Sequence, residues 1–533
     1  MILTDQDILK ILKERPNSAM LEDAKKSSKK FIAHITGQGS DKLIEQISGL
    51  ENEKQLEIRK KYAQSNKAIF SRIHRNEDKI FSAKGGSVFY NVPESQKKFF
   101  VSQLQNIYNG FSARSWTENY AKQYFHLDPM GVILMEVGNN VTYPIYKSTE
   151  SIYDYQLKGR EVEYLILTTK EPNEYRVIDD QFDKIVKYEG EVVTTKADVY
   201  PNYFGKVPAI VISDIVKPNT QYYTSPDDEI IEIADEFLRE SSVKSIFKLK
   251  FGYSKQWAYA AVCNNCKGTG LKGGDDCKTC NGSGRAVITD SSEVIALPIP
   301  EDGQGTITPP TGFVSPDVAG WDKMTDELRL LENQMHNTYW GVEPLQQTTG
   351  PNNQPIKTAT EIADNNQPIY ARLSKLSKWA EGIEKFITDL VGQFYLNSSY
   401  KGCSISYGTR YGIEGPDTIF LKYQDARSKG APDSVLDALL LEYYESKYST
   451  NNMELAKQVK LMKVEPFIHL TVSQAKNIIP SPVDYNKKLY YLEWLNTLPE
   501  NEVIIKSTAD LVKSLSEYAS TKEVPKPEPI IKP

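Results

Sequence analysis

Hydrophobic residues recur with a helical period over residues 358–396, where Ile362, Ile369, Leu376, Ile383 and Leu390 follow at intervals of seven and Leu373, Ala380, Ile387 and Phe394 form a second row. The two rows make one continuous apolar stripe, so the segment is predicted to be a single helix of about 55 Å at 1.5 Å per residue. Pro368 removes a backbone donor inside it and is predicted to bend it there. Two shorter stretches carry the same period. Ser225-Pro226-Asp227-Asp228-Glu229 starts a helix predicted over 226–250, because serine caps, proline suits the first turn and acids face the positive end of the dipole. Its buried side is Ile230, Ile233, Ala234, Phe237 and Leu238, and Lys244, Lys248 and Lys250 suit its far end. A second helix follows Ser315-Pro316-Asp317, spaces Val318, Trp321, Met324, Leu328, Leu331 and Met335 by three or four, and stops near Gly341.

Elsewhere the pattern changes character. The chain opens with helical, charge-rich segments to about Ile73, the first capped by Thr4 and Asp7, and the stretch 99–124 reads as a further helix. From Gly131 the runs GVILMEV, TYPIYKS, VEYLILTT, YRVIDDQ, KIVKYEG, EVVTTKADVY and PAIVISDI are short, β-rich and punctuated by turn residues, which predicts an antiparallel sheet. The segment 251–314 between the paired helices is strand-like. After the long helix, CSISYGTRYG and DTIFLKYQ read as strands, and helical pieces separated by Pro480, Pro482 and Pro499 fill the C-terminal part up to a proline-rich tail, 521–533, expected to be disordered. The fold class is therefore α+β.

Composition narrows the picture. The 533 residues hold 40% hydrophobic and 25% charged residues, a globular balance, and no segment has the length and apolarity of a membrane span. The N-terminus lacks the pattern of a secretion signal, which leads to the expectation of a cytoplasmic protein without membrane attachment. A net charge of −6 argues against a broad basic grip on nucleic acid. The lysine run Lys25, Lys26, Lys29 and Lys30 reads as a solvated helix face. A phosphate-binding loop, a nucleophile elbow and a His-Glu-x-x-His motif are all missing from the sequence, and His34, His74, His126, His336 and His469 are scattered and read as structural. The expectation is that the chain is not an enzyme.

The most specific chemistry is Cys263-Asn-Asn-Cys266-Lys-Gly-Thr-Gly with its repeat Cys277-Lys-Thr-Cys280-Asn-Gly-Ser-Gly. Each knuckle offers two sulfurs on a tight turn whose glycines let amides approach sulfur, and two knuckles complete a tetrahedral four-thiolate shell. This predicts one structural zinc ion per chain in a ribbon over 263–284, with iron as the other metal that such a shell takes. A closed shell leaves no position for a reacting water. The flanking runs YSKQWAYAAV and RAVITD read as paired strands with the knuckles at their tip.

One further segment matters. Residues 341–357 are rich in Gly, Pro, Gln, Asn and Thr and carry only Glu343 and Lys357 as charges, which predicts a long loop. The order of helix, uncharged loop and long helix led by Lys357-Thr358-Ala359-Thr360-Glu361-Ile362 resembles the channel-lining core of the portal proteins of tailed double-stranded DNA bacteriophages. That resemblance implies a wing at 1–224, stem helices at 225–250 and 315–340, a β clip with the zinc ribbon at 251–314, a channel loop at 341–357, a long bent helix and return to the wing at 358–430, and a helical crown at 431–520. It implies a structural ring, a dodecamer in that family, forming the head-to-tail connector at one capsid vertex of the virion and assembled in the host cytoplasm. Its expected partners are the double-stranded DNA passing during packaging and ejection, the large terminase, the major capsid protein, and head-tail adaptor or tail proteins. The loop residues Gln346, Gln347, Thr348, Thr349, Asn352, Asn353 and Gln354 would face DNA with neutral hydrogen-bonding groups that let it slide, and Thr358, Thr360, Glu361, Ile362 and Pro368 would lie on the channel helix.

The knuckle pair also resembles the cysteine-rich domain of J-protein chaperones, over residues 263–284 alone, with two repeats where that family carries four and no His-Pro-Asp motif in the chain. It keeps a second reading open, a zinc-ribbon nucleic-acid-binding or chaperone-like adaptor. A zinc ribbon is also a departure from most portals.

Overall fold

Alternation along two strands explains how one sheet serves cores on both faces. In Val132–Gly138, Val132 and Leu134 join Met20, Leu21 and Ala24 of the helix Ser18–Thr36, while Ile133 and Met135 point the other way into the core that holds the long helix. In Glu161–Thr168, Leu165 and Leu167 take the first side, and Tyr164 and Ile166 meet Leu3, Ile8, Ile11 and Leu12. The protein is represented by a computed structural model that describes residues 1–48, 52–220, 222–251, 255–259, 263–280, 282, 284, 294–297, 311–314, 318–342, 359–411, 416–448, 451–479 and 481–523. The chain divides into two compact units, Met1–Tyr411 and Gly412–Pro533.

The sheet of the first unit has eight strands. Their spatial order is Val141–Lys147, Val132–Gly138, Ala209–Val211, Glu161–Thr168, Glu174–Ile178, Phe182–Glu189 and Val192–Pro201, with Ile152–Lys158 also pairing on Glu161–Thr168, and all neighbours are antiparallel. Ile152–Lys158 is the strand that pattern reading left out. The helical stretch expected over 99–124 is broken, because Asn109 and Gly110 adopt positive φ between the helices Glu94–Gln105 and Ala113–Trp116. Thr4 and Asp7 form the expected reciprocal cap. Lys25, Lys29 and Lys30 pair with Glu22, Glu150 and Asp235, so the lysine run is largely neutralised on its own surface.

The paired helices are Ile231–Phe251, preceded by a 3-10 turn at Asp228–Ile230, and Val318–Trp340. They run antiparallel, since Lys244 and Lys248 near the end of the first lie over the ring of Trp321 near the start of the second. Ile231, Ala234, Met335, Tyr339 and Trp340 are buried in the main core of the unit, whereas Val318 at the other end is 61% exposed. Chain connectivity therefore puts the small three-stranded sheet of Lys255–Tyr259, Val294–Leu297 and Thr311–Val314 beyond the outer end of the pair. Lys255–Tyr259 is its middle strand, parallel to Val294–Leu297 and antiparallel to Thr311–Val314. RAVITD, expected to pair with it, lies outside the described residues.

The long helix spans Ala359–Leu396, 38 residues, and continues on both sides of Pro368. From Leu373 onward it is core: Leu376, Trp379, Ala380, Ile383, Ile387, Leu390 and Val391 are buried, so both predicted rows face the same interior. Gln367, Pro368, Tyr370 and Ala371 are exposed. Gly341 ends the second paired helix at φ 68° and sits against Pro368, whose Cβ is 3.0 Å from where a side chain on Gly341 would begin. Cys403–Arg410 pairs with Lys84–Tyr90. DTIFLKYQ is not a strand; it lies within the helix Pro416–Ser428, where Pro416 opens the first turn and Ile419 and Tyr423, four apart, turn inward together. That helix begins the second unit, whose described elements are all helices, among them Asp433–Lys447, Asn452–Val464, Pro482–Leu489 and Thr508–Ser520. Trp494, Leu511 and Leu515 centre one of its clusters and Tyr423, Leu436 and Leu440 another. Of the tail, Thr521 closes the last helix and Lys522 pairs with Glu493, and residues 524–533 lie outside the described residues.

Candidate metal centre

Glycine spacing brings the two knuckles face to face. Cys263 N–H donates to the Gly284 carbonyl at 3.0 Å and Cys277 N–H to the Gly270 carbonyl at 2.7 Å, so each knuckle begins on the end of the other. The glycines obey the same two-fold relation: a Cβ on Gly270 would lie 2.3 Å from the Gly282 carbonyl oxygen, and one on Gly284 would lie 2.3 Å from that of Gly268. Only glycine fits at either place, in conformation and in space. Between the knuckles, Leu271–Lys272 pairs with Asp275–Asp276 around Gly273-Gly274, whose φ values of 72° and 95° make the two-residue turn that suits a hairpin.

This frame brings Cys263, Cys266, Cys277 and Cys280 together, all buried, with their sulfurs within 4.8 Å of one another. None is in a disulfide, and Cys266 and Cys280 Sγ are 3.6 Å apart. A tetrahedral shell with Zn–S bonds of about 2.3 Å sets its sulfurs about 3.8 Å apart, against about 2.05 Å in a disulfide. The tetrad can thus bind a metal such as zinc. At Cys277, burial works against the thiolate, and the amides of Thr279 and Cys280 aimed at its sulfur outweigh it and hold the group at about 7. At Cys280, burial and the hydrogen bond with Cys266 push the thiol up to about 11. Cys277 thus ionises more readily than Cys280, and a bound cation would favour the thiolate at both.

The other expected site residues fall as follows. Thr360, Glu361 and Ile362 belong to the first turns of the long helix, and Pro368 is exposed on it. Thr358 and the loop residues Gln346, Gln347, Thr348, Thr349, Asn352, Asn353 and Gln354 lie outside the described residues.

Two histidines read as separate come together with partners that the sequence did not connect. His126 Nδ1 is 2.8 Å from Asp227 Oδ2 and its Nε2 is 2.8 Å from Glu77 Oε2. His74 Nε2 is 2.8 Å from the other oxygen of Asp227, and the Tyr339 hydroxyl donates to the other oxygen of Glu77. Ser225 explains Asp227's position, since its hydroxyl donates to the His126 carbonyl and accepts from Asp227 N–H. Asp227 thus serves this cluster from the N-terminal end of the turn that leads into the first paired helix. Burial opposes charge on all three central groups, and their mutual attraction outweighs it: His126 is pushed up to about 10, Glu77 is held at about 2, and Asp227 is held below the ordinary carboxylate range. Spacing gave no signal for this cluster; the one hint was an acid-rich helix start behind a buried serine. No family model matches the chain, and no curated protein matches it in sequence.

Proposed function

We propose that this chain is the portal subunit of a tailed double-stranded DNA bacteriophage, a structural ring protein at one capsid vertex through which the genome is packaged and ejected. The observation that carries the reading is the order of parts: an antiparallel helix pair rooted in the body, a small sheet and cysteine ribbon beyond its outer end, then the uncharged segment, then a helix of 38 residues with its second half in the core. In this reading the pair is the stem, the sheet and ribbon are the clip that docks terminase and later adaptor or tail proteins, and the exposed Gln367, Pro368, Tyr370 and Ala371 of the long helix face the channel. The tetrad holds one structural zinc ion, and the helical second unit is the crown.

Native mass spectrometry with negative-stain microscopy and elemental analysis tests it on the full chain. The expected result is rings near twelve subunits with a central hole and one zinc per chain. A zinc-loaded monomer or dimer that binds nucleic acid or unfolded clients overturns it in favour of the adaptor, a reading supported by the exposed Asn264, Asn265, Lys267 and Lys278 on the ribbon's outer surface. Cys263→Ser with Cys277→Ser separates the two: a portal loses clip docking and keeps its body, and an adaptor loses ligand binding outright.

A further inference from the structure

The hydrogen bonds of His126 fix its charge. An ionised carboxylate only accepts, and His126 meets one at 2.8 Å on each ring nitrogen, so both nitrogens carry hydrogen and the ring is a cation. A metal ion shared by His74, His126 and Asp227 is the rival account, because their donor atoms also lie within 4.8 Å of one another. Ring geometry decides against it. Two imidazoles on one ion through bonds of about 2.1 Å, even at an angle of about 90°, hold their centroids about 4.5 Å apart and splayed. Here the rings stack at 4.0 Å and 30°. Arg372 of the long helix lies 3.6 Å over the Tyr339 ring, donates to the Pro226 carbonyl at 2.9 Å and pairs with Glu229 at 3.2 Å, so it is engaged outside the two carboxylates and His126 is the group bonded to both of them.

The cluster lies on a seam. Glu77, His74 and His126 belong to the body, on Arg75–Ile80, Lys67–His74 and Lys122–Leu127. Asp227 precedes the first paired helix, and Tyr339 is in the last turn of the second. We infer that a proton held on His126 latches the helices Ile231–Phe251 and Val318–Trp340 to the body, and that its removal loosens the pair while the eight-stranded sheet stays folded. Without that proton one carboxylate faces a ring lone pair, and two buried anions are left with no cation between them, one on each side of the seam. The groups facing His126 are Glu77, Asp227 and the stacked His74, with Tyr339 and Arg372 behind them from the second paired helix and the long helix. Large parts of the sheet pack in clusters that hold none of these groups.

Hydrogen exchange of the full chain between pH 7 and 10.5, normalised for the base-catalysed intrinsic rate, tests the latch. Peptides covering 225–251 and 318–342 are expected to exchange at least about tenfold faster above a midpoint near 10 while peptides from 132–211 keep their protection. Simultaneous loss in both regions, or none in the helix pair, overturns the inference. His126→Gln, which keeps one donor and no charge, is expected to show the loosened pair at pH 7 and no further alkaline step, and an alkaline step that survives in it overturns the inference as well. Should that variant not accumulate, Glu77→Gln leaves the imidazolium with one anion and must move the midpoint to lower pH, and an unmoved midpoint is equally decisive. These readouts do not depend on ring assembly.

Discussion

The cysteine ribbon and the histidine seam are both closed, buried, polar centres, and they are built in opposite ways. All four sulfurs of the ribbon come from residues 263–280, and the glycines that aim them lie between 268 and 284. The seam draws Glu77, His126, Tyr339 and Arg372 from four elements, and Asp227 from the turn before a fifth, spread over most of the first unit. A centre made within one short stretch can be gained or lost without disturbing the rest. A centre made across elements is inseparable from the packing that assembles it.

The sharpest way to break that contrast is to remove the metal. A four-thiolate zinc shell contributes on the order of 10–16 kcal/mol of binding free energy, nearly all of it local folding energy. Chelation or Cys277→Ser is expected to make the region 255–314 protease-sensitive and leave the sheet intact, as read by limited proteolysis beside elemental analysis; collapse of the whole unit would show that the ribbon is not autonomous. Next in size, Asp227→Asn takes one acceptor from a buried charged network and is expected to cost about 3–5 kcal/mol, visible as a lower urea midpoint for the first unit. A loss below about 1 kcal/mol would put the seam on a par with a surface pair.

Acidity sharpens the comparison further. His126 is raised from 6.5 to about 10 on folding, so its contribution is fully present below pH 6.5 and is lost as pH rises through 10. Glu77 is lowered from 4.5 to about 2, so its contribution is present above pH 4.5 and is lost as pH falls through 2. Urea midpoints are expected to be flat between about 4.5 and 6.5 and to fall on both sides, and a maximum outside that window would contradict the charge assignment. The smallest effect is expected at one of two glycines of the ribbon, Gly273, and the other is its control. Gly270→Ala meets a carbonyl oxygen at 2.3 Å and should weaken metal affinity severely, whereas Gly273→Ala has open space and should cost only the left-handed backbone penalty of about 1–2 kcal/mol with the ion retained. Equal losses in a competition titration would show that conformation alone, not the close approach of the knuckles, demands glycine.

What could be read in advance follows the same division. The period of Leu376, Ile383 and Leu390, the stop at Gly341 and the knuckle spacing are all local, and each reappears in the fold. DTIFLKYQ misled because a run with Ile419, Phe420, Leu421 and Tyr423 fits a strand as well as a helix until the neighbours that bury Ile419 and Tyr423 are known. Ile152–Lys158 was passed over because its apolar residues are interrupted by Asp154, whose carboxylate is buried on Asn17 and Tyr164 and cannot be told from a turn residue in sequence. The seam was invisible for a stronger reason, since no distance along the chain relates residue 77 to residue 339.

The long helix has a mechanical meaning. From Leu373 onward it is clamped in the core, and from Gln367 to Ala371 it stands largely in solvent, which is the arrangement of a cantilever. Arg372 is at the lip of the clamp, stacked on Tyr339 and bonded to the Pro226 carbonyl. A sideways load on that exposed turn would reach the base of both paired helices through this guanidinium and through Pro368, which sits against Gly341.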